Sequence, residues 1–440
     1  MRLSALALAL AWAVNGLGAD LRYNLILEVG ETGQLHGQVT VSGVAQGFWN
    51  ELAFRLYPAA QGPSCLFVRS AHVGSERTEW FSSDPTTVRV PLELSPGQTY
   101  SVTLEFAGQV PPFGAGGYGI FARTPTTLTL AQAYPILAVW DGGWVITPAL
   151  PWGDAIFAEA ADYTAEILAP LGWTVVASGS EKQVEPGRWR VEGQNLRELG
   201  LVLVRGYEVE ETFQEGVQLR SFFPTSLGYG GRQALEVATQ SLAAFDPLGA
   251  FPFLEVDLVA VPLAGVAGVE YPGLILAHDL YYDPSRGDSF FFAMVVAHEL
   301  AHQFWYAEVG SNPWSEPWLD EALTTYTSGL YFAEQGELHL ILSYWERSAS
   351  WGRWANPQAA ITSPLSAFPD GRGYGGIVYS SGALWFRKVE ARMGSESFFR
   401  ALRRYREEFR WRIATGKDLL RILSEESVDP LGDLLLELGN

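Results

Sequence analysis

The chain has 440 residues, which is enough for two or three domains. Hydrophobic residues make up 48% of it and charged residues 18%, a globular composition that argues against extensive disorder. The net charge of −20 argues against nucleic acid as a partner, because binding phosphate groups requires a basic face.

The first residues have the layout of a secretory signal peptide. The basic residue Arg2 precedes a short apolar run, and small residues follow as far as Ala19. Because the run is too short to span a bilayer comfortably, we expect residues 1–19 to be a signal peptide and the protein to be exported, either to the periplasm or outside the cell. No stable membrane insertion is expected once the signal is removed. A buried N-terminal helix is the alternative.

Cysteine usage adds one constraint. Cys65 is the only cysteine, so no disulfide can form within the chain. It lies far beyond the expected cleavage point, which argues against a lipid anchor at the N-terminus.

Residues 20–205 are predicted to form a β-rich domain. Apolar and polar residues alternate in short runs, for example in 87–92 and 100–104, and Gly and Pro separate these runs. Alternation with period two is typical of strands that bury one face. We therefore expect many short antiparallel strands, arranged as a β-sandwich or a saddle-shaped sheet.

Residues 206–440 are predicted to form a mainly helical domain, which makes the chain an α+β protein. Apolar residues recur there at helical spacing. A strand pair is expected at 253–261 and 273–277. Helices are predicted at 231–245, 289–308, 317–335, 377–393, 397–409 and 417–426. Thr415 and Asp418 fit a capping box at the start of the last helix.

A short motif in the second of these helices indicates a metal site. It reads His298-Glu299-Leu300-Ala301-His302. Positions i and i+4 of a helix leave the same face one turn apart, so both imidazoles can reach one ion at about 2.0–2.1 Å. Glu299 lies beside them, where it can accept a proton from a water molecule that the ion activates.

A carboxylate on the next helix completes the predicted ligand set. Glu321 follows in the run Trp318-Leu319-Asp320-Glu321-Ala322, and Pro317 suits the first turn of that helix. Two histidines and one glutamate leave a fourth position open for water, which is typical of catalytic rather than structural zinc sites. The alternative is two core histidines and two unrelated carboxylates.

With these motifs the chain resembles the aminopeptidase N family of gluzincin zinc metallopeptidases. The resemblance is carried by the residues of 295–305 and 316–321 and, more diffusely, by Pro151-Trp152-Gly153-Asp154 in the β-rich domain. It implies a thermolysin-like catalytic domain, one zinc ion held by His298, His302 and Glu321, peptide substrates, and removal of N-terminal residues. The oligomeric state stays open.

The resemblance also implies a substrate-binding segment at Gly268-Val269-Glu270. In the family, a glycine and a glutamate at this place lie on a sheet edge, and the glutamate binds the free α-amine of the peptide. Val269 replaces the family's methionine, while the glutamate is retained. The alternative for Glu270 is a loop carboxylate in water.

A tyrosine is expected to assist the metal. The run Tyr379-Ser380-Ser381-Gly382 resembles the family's Tyr-x-Lys-Gly, with Ser381 in place of lysine. A phenol there can donate a hydrogen bond to the oxyanion of the tetrahedral intermediate. Tyr374 is the competing candidate.

Larger relatives carry a further C-terminal helical domain that covers the active site. We expect this protein to lack that domain, which implies a more open cleft. Two other functions therefore stay open: a zinc endopeptidase or oligopeptidase with loose preference for the peptide end, and a non-catalytic scaffold on the same fold.

Overall fold

The computed structural model describes residues 21–148, 152–154 and 156–439. The predicted signal peptide, residues 1–19, lies outside this part of the chain. We refer to residues 21–204 as the β-rich half and to residues 207–439 as the helical half. The predicted boundary near 205 falls between the last strand of the first and the first strand of the second.

The β-rich half consists of short strands joined by tight turns. They are, in chain order, β1 (Arg22–Val29), β2 (Gln34–Val44), β3 (Trp49–Arg55), β4 (Phe67–Val73), β5 (Glu76–Thr78), β6 (Phe81–Asp84), β7 (Thr87–Leu94), β8 (Thr99–Gln109), β9 (Phe121–Arg123), β10 (Thr127–Leu130), β11 (Ile136–Leu137), β12 (Ala161–Leu168), β13 (Thr174–Ala177), β14 (Ser180–Glu185), β15 (Arg188–Leu196) and β16 (Leu201–Val204).

These strands form a large sheet and two smaller ones. The large sheet has the order β14-β15-β12-β1-β2-β8-β4-β5, and the smaller sheets have the orders β11-β3-β7-β6 and β13-β16-β10-β9. Strand β1 shows why the layers pack, because every second side chain is buried along its length. Leu104 of the large sheet and Phe54 and Val88 of a smaller one share one buried core. The predicted sandwich of mainly antiparallel strands is therefore present, with one parallel pair between β1 and β12.

The helical half begins with a five-stranded sheet. Its strands are β17 (Tyr207–Gln214), β18 (Val217–Pro224), β19 (Glu255–Val261), β20 (Gly268–Tyr271) and β21 (Leu274–His278), in the spatial order β17-β18-β19-β21-β20. The sequence pattern predicted only the two strands that correspond to β19 and β21. The hairpin β17–β18 was missed because its alternation continues beyond 205, where the overall texture becomes helical.

Helices cover the rest of this half. They are α1 (Gly228–Ala244), α2 (Asp279–Tyr282), α3 (Ser289–Ala301), α4 (Trp318–Glu334), α5 (Leu338–Ala355), α6 (Gly371–Tyr374), a π-helix (Gly375–Ser381), α7 (Gly382–Met393), α8 (Ser395–Phe409), α9 (Gly416–Glu426) and α10 (Gly432–Leu438). The capping box of Thr415 and Asp418 is present at the start of α9. No helix in the described part of the chain is both long and apolar enough to cross a bilayer.

The prediction that the helix starting at 289 reaches residue 308 was wrong. Helix α3 ends at Ala301, and the chain then folds back so that Trp305 bridges to Val309. Tyr306 has φ 143°, a value that no helical residue adopts. The apolar pattern continues through this segment because its side chains are still buried, so the pattern alone could not locate the helix end.

The two halves pack closely against each other. One apolar cluster joins Val176 and Val202 of the β-rich half to Val259, Tyr271 and Leu276 of the helical half. At another point the buried guanidinium of Arg197 donates hydrogen bonds to backbone carbonyls of the helical half. The acceptors are Tyr306 at 2.5 Å, Glu308 at 3.1 Å and Arg412 at 2.7 Å. This contact fixes the fold-back that follows α3.

Candidate metal centre and active site

Helix α3 presents the two histidines of the predicted motif. The Asp288 carboxylate caps its start by accepting hydrogen bonds from the backbone N–H groups of Phe290 and Phe291. His298 lies in the last turn and His302 immediately after it, with the ring centroids 4.7 Å apart. Because the helix is buried on nearly every side, its packing holds both imidazoles in place.

Helix α4 packs against α3 and brings Glu321 to the same point. The His298 and His302 Nε2 atoms are 3.1 Å apart, and Glu321 Oε2 lies 3.3 Å from the first and 3.5 Å from the second. Ligands placed at about 2.0–2.1 Å around a tetrahedral zinc ion are about 3.3–3.4 Å apart. The three atoms therefore form one face of such a tetrahedron.

The state of the donor atoms agrees with this fit. Glu321 Oε2 is buried and accepts no hydrogen bond from any described residue, although a buried carboxylate oxygen normally has a partner. Two imidazole nitrogens and one carboxylate oxygen are typical ligands of catalytic zinc. His298, His302 and Glu321 would thus hold one zinc ion, as the sequence predicts.

Asp320 orients one of the ligands, a role that the sequence motifs did not predict. Its Oδ1 lies 2.7 Å from Nδ1 of His302, on the side of the ring opposite the ligand atom. Such a carboxylate fixes the ring and makes the imidazole a better metal ligand. Asp320 directly precedes the predicted ligand Glu321, so the sequence contained a hint of its role. Adjacent residues on a helix point in different directions, however, and the role of Asp320 becomes visible only from its contact with His302.

Glu299 lies beside the metal ligands in a buried position. Its side chain packs on strand β20, where a Cβ atom on Gly268 would come within 2.4 Å of Glu299 Oε1. Only glycine leaves room for the carboxylate at this place. Burial raises the pKa of Glu299 to about 7, and its Oε2 has no hydrogen-bond partner among the described residues. A carboxylate in this state can exchange a proton near neutral pH.

Glu270 also lies at the site, on the edge strand β20. It is 8% exposed, and its Oε1 is 3.9 Å from Nε2 of His302. Burial, together with the charges of Asp154 and Glu299, holds the pKa of Glu270 well above its usual range. This environment does not fit the alternative of a loop carboxylate in water.

Tyr379 lies on the π-helix that precedes α7. Its hydroxyl donates a hydrogen bond to Glu321 Oε1, and its ring stacks on that of His298 with the centroids 5.6 Å apart. Tyr374 meets the Tyr379 ring edge-on at 5.2 Å and is 3% exposed. Of the two candidates, Tyr379 is therefore the one in hydrogen-bond contact with a metal ligand.

Asp154 is a further member of the site that the sequence motifs did not assign. It comes from the segment 152–154 of the β-rich half, whose Trp152 packs on the core of the helical half. One carboxylate oxygen from each of Asp154, Glu270 and Asp320 lies within 4.8 Å of the others. Burial, with the charge of Asp154 second, raises the pKa of both Glu270 and Glu321. No local pattern could reveal this contact, since Asp154 is more than a hundred residues from its partners.

Comparison with known proteins places the site in a family. Residues 234–436 match the Peptidase family M1 domain. Aminopeptidase M1-B of Oryza sativa subsp. japonica is 28% identical over 250 residues, which are 52% of this chain and 27% of that protein. Aminopeptidase N of Streptomyces lividans is 24% identical over 288 residues, 61% of this chain and 34% of that protein. The chain thus spans about a quarter to a third of the length of these relatives.

Solved structures share the fold over nearly the whole chain. The M1 zinc metallopeptidase from Deinococcus radiodurans superimposes with a TM-score of 0.68 at 18% identity, covering 96% of this chain and 94% of that one. A mutant form of the same protein gives 0.69. The arrangement of a β-rich half followed by a helical half is therefore that of a two-domain M1 metallopeptidase.

The fold and the zinc centre together define the gluzincin class of zinc metallopeptidases. Within that class, residues 234–436 form a domain of peptidase family M1, and the curated relatives that match this region are aminopeptidases of the same family. The resemblance carried by the sequence motifs is thereby confirmed.

Proposed function

We propose that the protein is a zinc aminopeptidase, which removes residues from the N-terminus of peptides. The observation that carries the proposal is the position of Glu270, whose carboxylate oxygen lies 3.9 Å from a nitrogen of the zinc ligand His302. An amine bound by Glu270 is then close enough to the metal for the first peptide bond of a substrate to reach it. The relatives above are named aminopeptidases, and a mutant of the Deinococcus radiodurans protein has been solved bound to a Tyr-Ser-Ala substrate.

The amine of the substrate would be held by two carboxylates. Glu270 lies on the edge strand β20, and Asp154 approaches from the β-rich half. An ammonium group between two largely desolvated carboxylates gains charge-assisted hydrogen bonds that an acetylated terminus lacks. This pair would select peptides with a free N-terminus.

Proton transfer would be carried out by Glu299. A zinc ion in the site would acidify a water molecule and polarise the scissile carbonyl. Glu299 would take a proton from the water that attacks the carbonyl carbon, and would deliver that proton to the leaving nitrogen as the C–N bond breaks. The contact with Gly268 holds the Glu299 carboxylate in place for both transfers.

Tyr379 would stabilise the negative oxygen that develops on the carbonyl. Its hydroxyl donates to Glu321 Oε1 in the structure, the partner of the ligand oxygen Oε2 in the same carboxylate. Rotation of the hydroxyl would redirect this hydrogen bond from the carboxylate to a substrate oxygen. A hydroxyl donor aimed at the developing charge typically accelerates the step substantially.

The proposal is tested with matched peptides. A peptide with a free N-terminus should be cleaved at its first bond, its N-acetylated form should be cleaved far more slowly, and a chelator should abolish both activities. The variant Glu270→Gln should narrow the gap between the two peptides, whereas Glu346→Gln, on the exposed face of α5, should not. Equal turnover of both peptides would favour an endopeptidase. A protein that binds zinc stoichiometrically and cleaves neither would be a scaffold.

Export remains a separate prediction. We infer it from the layout of residues 1–19. Cell fractionation tests it: the protein should be found outside the cytoplasm with an N-terminus near residue 20, and a cytoplasmic protein that retains residues 1–19 would contradict it.

A further inference from the structure

A second charged cluster lies away from the zinc site, at the contact between the two halves. Arg220 on β18 donates from Nε and Nη2 to the two oxygens of Asp257 on β19, both at 2.6 Å. The same Nη2 lies 2.7 Å from Glu181 and 2.8 Å from Glu255. Glu181 belongs to β14 of the β-rich half. One guanidinium thus holds three carboxylates from two parts of the fold.

The cluster is too buried to be an ordinary surface ion pair. The side chains of Asp257 and Glu181 are 0% and 5% exposed, and that of Arg220 is 17% exposed. Glu181 Oε2 has no hydrogen-bond partner among the described residues. Three carboxylates around one guanidinium leave an excess of negative charge in a buried position. Burying unbalanced charge destabilises a fold, so this cluster calls for a structural or functional reason.

The cluster lies beneath the turn that joins β20 to β21. The backbone N–H of Asp257 donates to the carbonyl of Gly273 in that turn at 3.0 Å. A Cβ atom on Gly273 would meet the Glu255 carbonyl at 3.3 Å and the backbone nitrogen of Gly179, just before β14, at 3.7 Å. The turn is therefore packed between β19 and the β-rich half, the two elements that Arg220 ties together.

The same turn is connected to the active site. Gln303, which follows the zinc helix, accepts a hydrogen bond from the Gly273 N–H at 2.8 Å and donates to the Tyr271 carbonyl at 3.2 Å. Glu270 directly precedes Tyr271 on β20 and pairs with Ile275 of β21. A shift of the turn would therefore move the Glu270 carboxylate relative to the metal.

We propose that Arg220 is a positioning residue for Glu270: by clamping Glu181, Glu255 and Asp257 it fixes the β20–β21 turn, and so fixes the carboxylate that receives the substrate amine. The inference rests on the proposed function for the role of Glu270. The clamp itself rests on contacts that do not involve the zinc site.

The clamp should also respond to pH. Burial, with the charge of Asp257 second, raises the pKa of Glu181 to about 8, and burial raises that of Asp257 to about 7. Glu255 and, through it, Glu211 on β17 add negative charge from the remaining side. A carboxyl group whose pKa is raised on folding stabilises the fold below its unfolded pKa and loses that contribution as the pH rises through the folded value. The clamp is therefore strongest at acidic pH, weakens as the pH rises through about 7 and 8, and has lost this contribution above pH 8.

The first experiment compares Arg220→Gln with Arg232→Gln, whose guanidinium forms a largely exposed ion pair with Glu210 in the same half. We expect Arg220→Gln to raise KM for a free-amine peptide about tenfold, with kcat and zinc content within twofold of wild type, and to speed hydrogen exchange in residues 268–276. The control should change neither. Unchanged KM and exchange, or a loss of zinc, would overturn the proposal.

The second experiment uses Glu181→Gln, which keeps an acceptor for Arg220 but cannot ionise, and so serves also if Arg220→Gln fails to fold. Between pH 6.5 and 9, KM of the wild type should rise at least threefold relative to this variant. If KM depends on pH in the same way in the wild type and in Glu181→Gln, the proposed role of the clamp is wrong. If the wild type does not distinguish free from acetylated peptides, the proposed function fails, and hydrogen exchange of residues 268–276 alone decides whether Arg220 holds the turn.

Discussion

The metal centre and the proposed amine-binding site are built in different ways. The metal ligands come from two adjacent helices within 24 residues of sequence, and the helix repeat alone directs the two imidazoles to one point. The proposed amine site combines Asp154 of the β-rich half with Glu270 of an edge strand, and we propose that Arg220 fixes the turn behind Glu270. The residues for hydrolysis of any peptide bond thus come from one short stretch of sequence. The proposed selection of peptides with a free N-terminus depends instead on how the two halves pack.

The largest effect expected from breaking the metal centre comes from Glu299→Gln. The amide cannot take a proton from water, so kcat should fall by about 10²–10⁴-fold while zinc stays bound. Kinetics with a metal assay on the same sample checks this. A variant that retains more than a tenth of the wild-type kcat would exclude Glu299 as the general base.

A smaller loss is expected when Asp320, which orients His302, is replaced by alanine. Losing a carboxylate that holds a metal-bound imidazole typically weakens metal affinity about 10–100-fold. Titration of the apoprotein with zinc in a competing chelator measures the change. Activity should return at high zinc concentration, and failure of zinc to rescue it would mean that Asp320 does more than orient the ring.

The amine pocket is tested separately by Asp154→Asn. The variant keeps a hydrogen-bonding side chain but loses one charge, so KM for a free-amine peptide should rise about tenfold, equivalent to ~1.4 kcal/mol of binding free energy. kcat and zinc affinity should stay near wild type. If kcat falls and KM does not change, Asp154 acts on the metal centre and the distinction between the two regions is lost.

The smallest effect is expected at the start of the zinc helix. Asp288→Ala removes the cap of α3 and should lower the free energy of unfolding by about 1 kcal/mol, measured by denaturant titration. Zinc affinity should be unchanged because the ligands lie at the opposite end of the helix. If Asp288→Ala also lowers the affinity for zinc, the start of α3 influences the position of the metal ligands at its other end.

The residues alone predicted the contacts that are short in sequence, the family resemblance added Glu270 and Tyr379, and neither assigned a role to Asp154. His298, His302 and Glu321 could be assigned because a helix converts spacing into direction. Asp154 could not be assigned, because its role depends on a segment of one half reaching the other.

A similar limit applies to the zinc helix itself. The apolar pattern could not show that it stops at Ala301, since the residues that follow are equally buried. The fold-back that replaces the last predicted turns is held by Arg197, which lies about a hundred residues earlier in the chain.

The Arg197 contact has a consequence for dissecting the molecule. Its guanidinium is the donor for carbonyls at Tyr306, Glu308 and Arg412. Excising residues 206–439 as a minimal enzyme would remove this donor and leave the Tyr306 carbonyl without it, whereas the carbonyls of Glu308 and Arg412 would keep backbone donors from Trp411 and Gly310. The excision would also expose the apolar cluster around Val259 and Tyr271 to water. A shortened version of the protein would need a new hydrogen-bond donor for the fold-back and polar residues in place of the exposed apolar ones before it could fold alone.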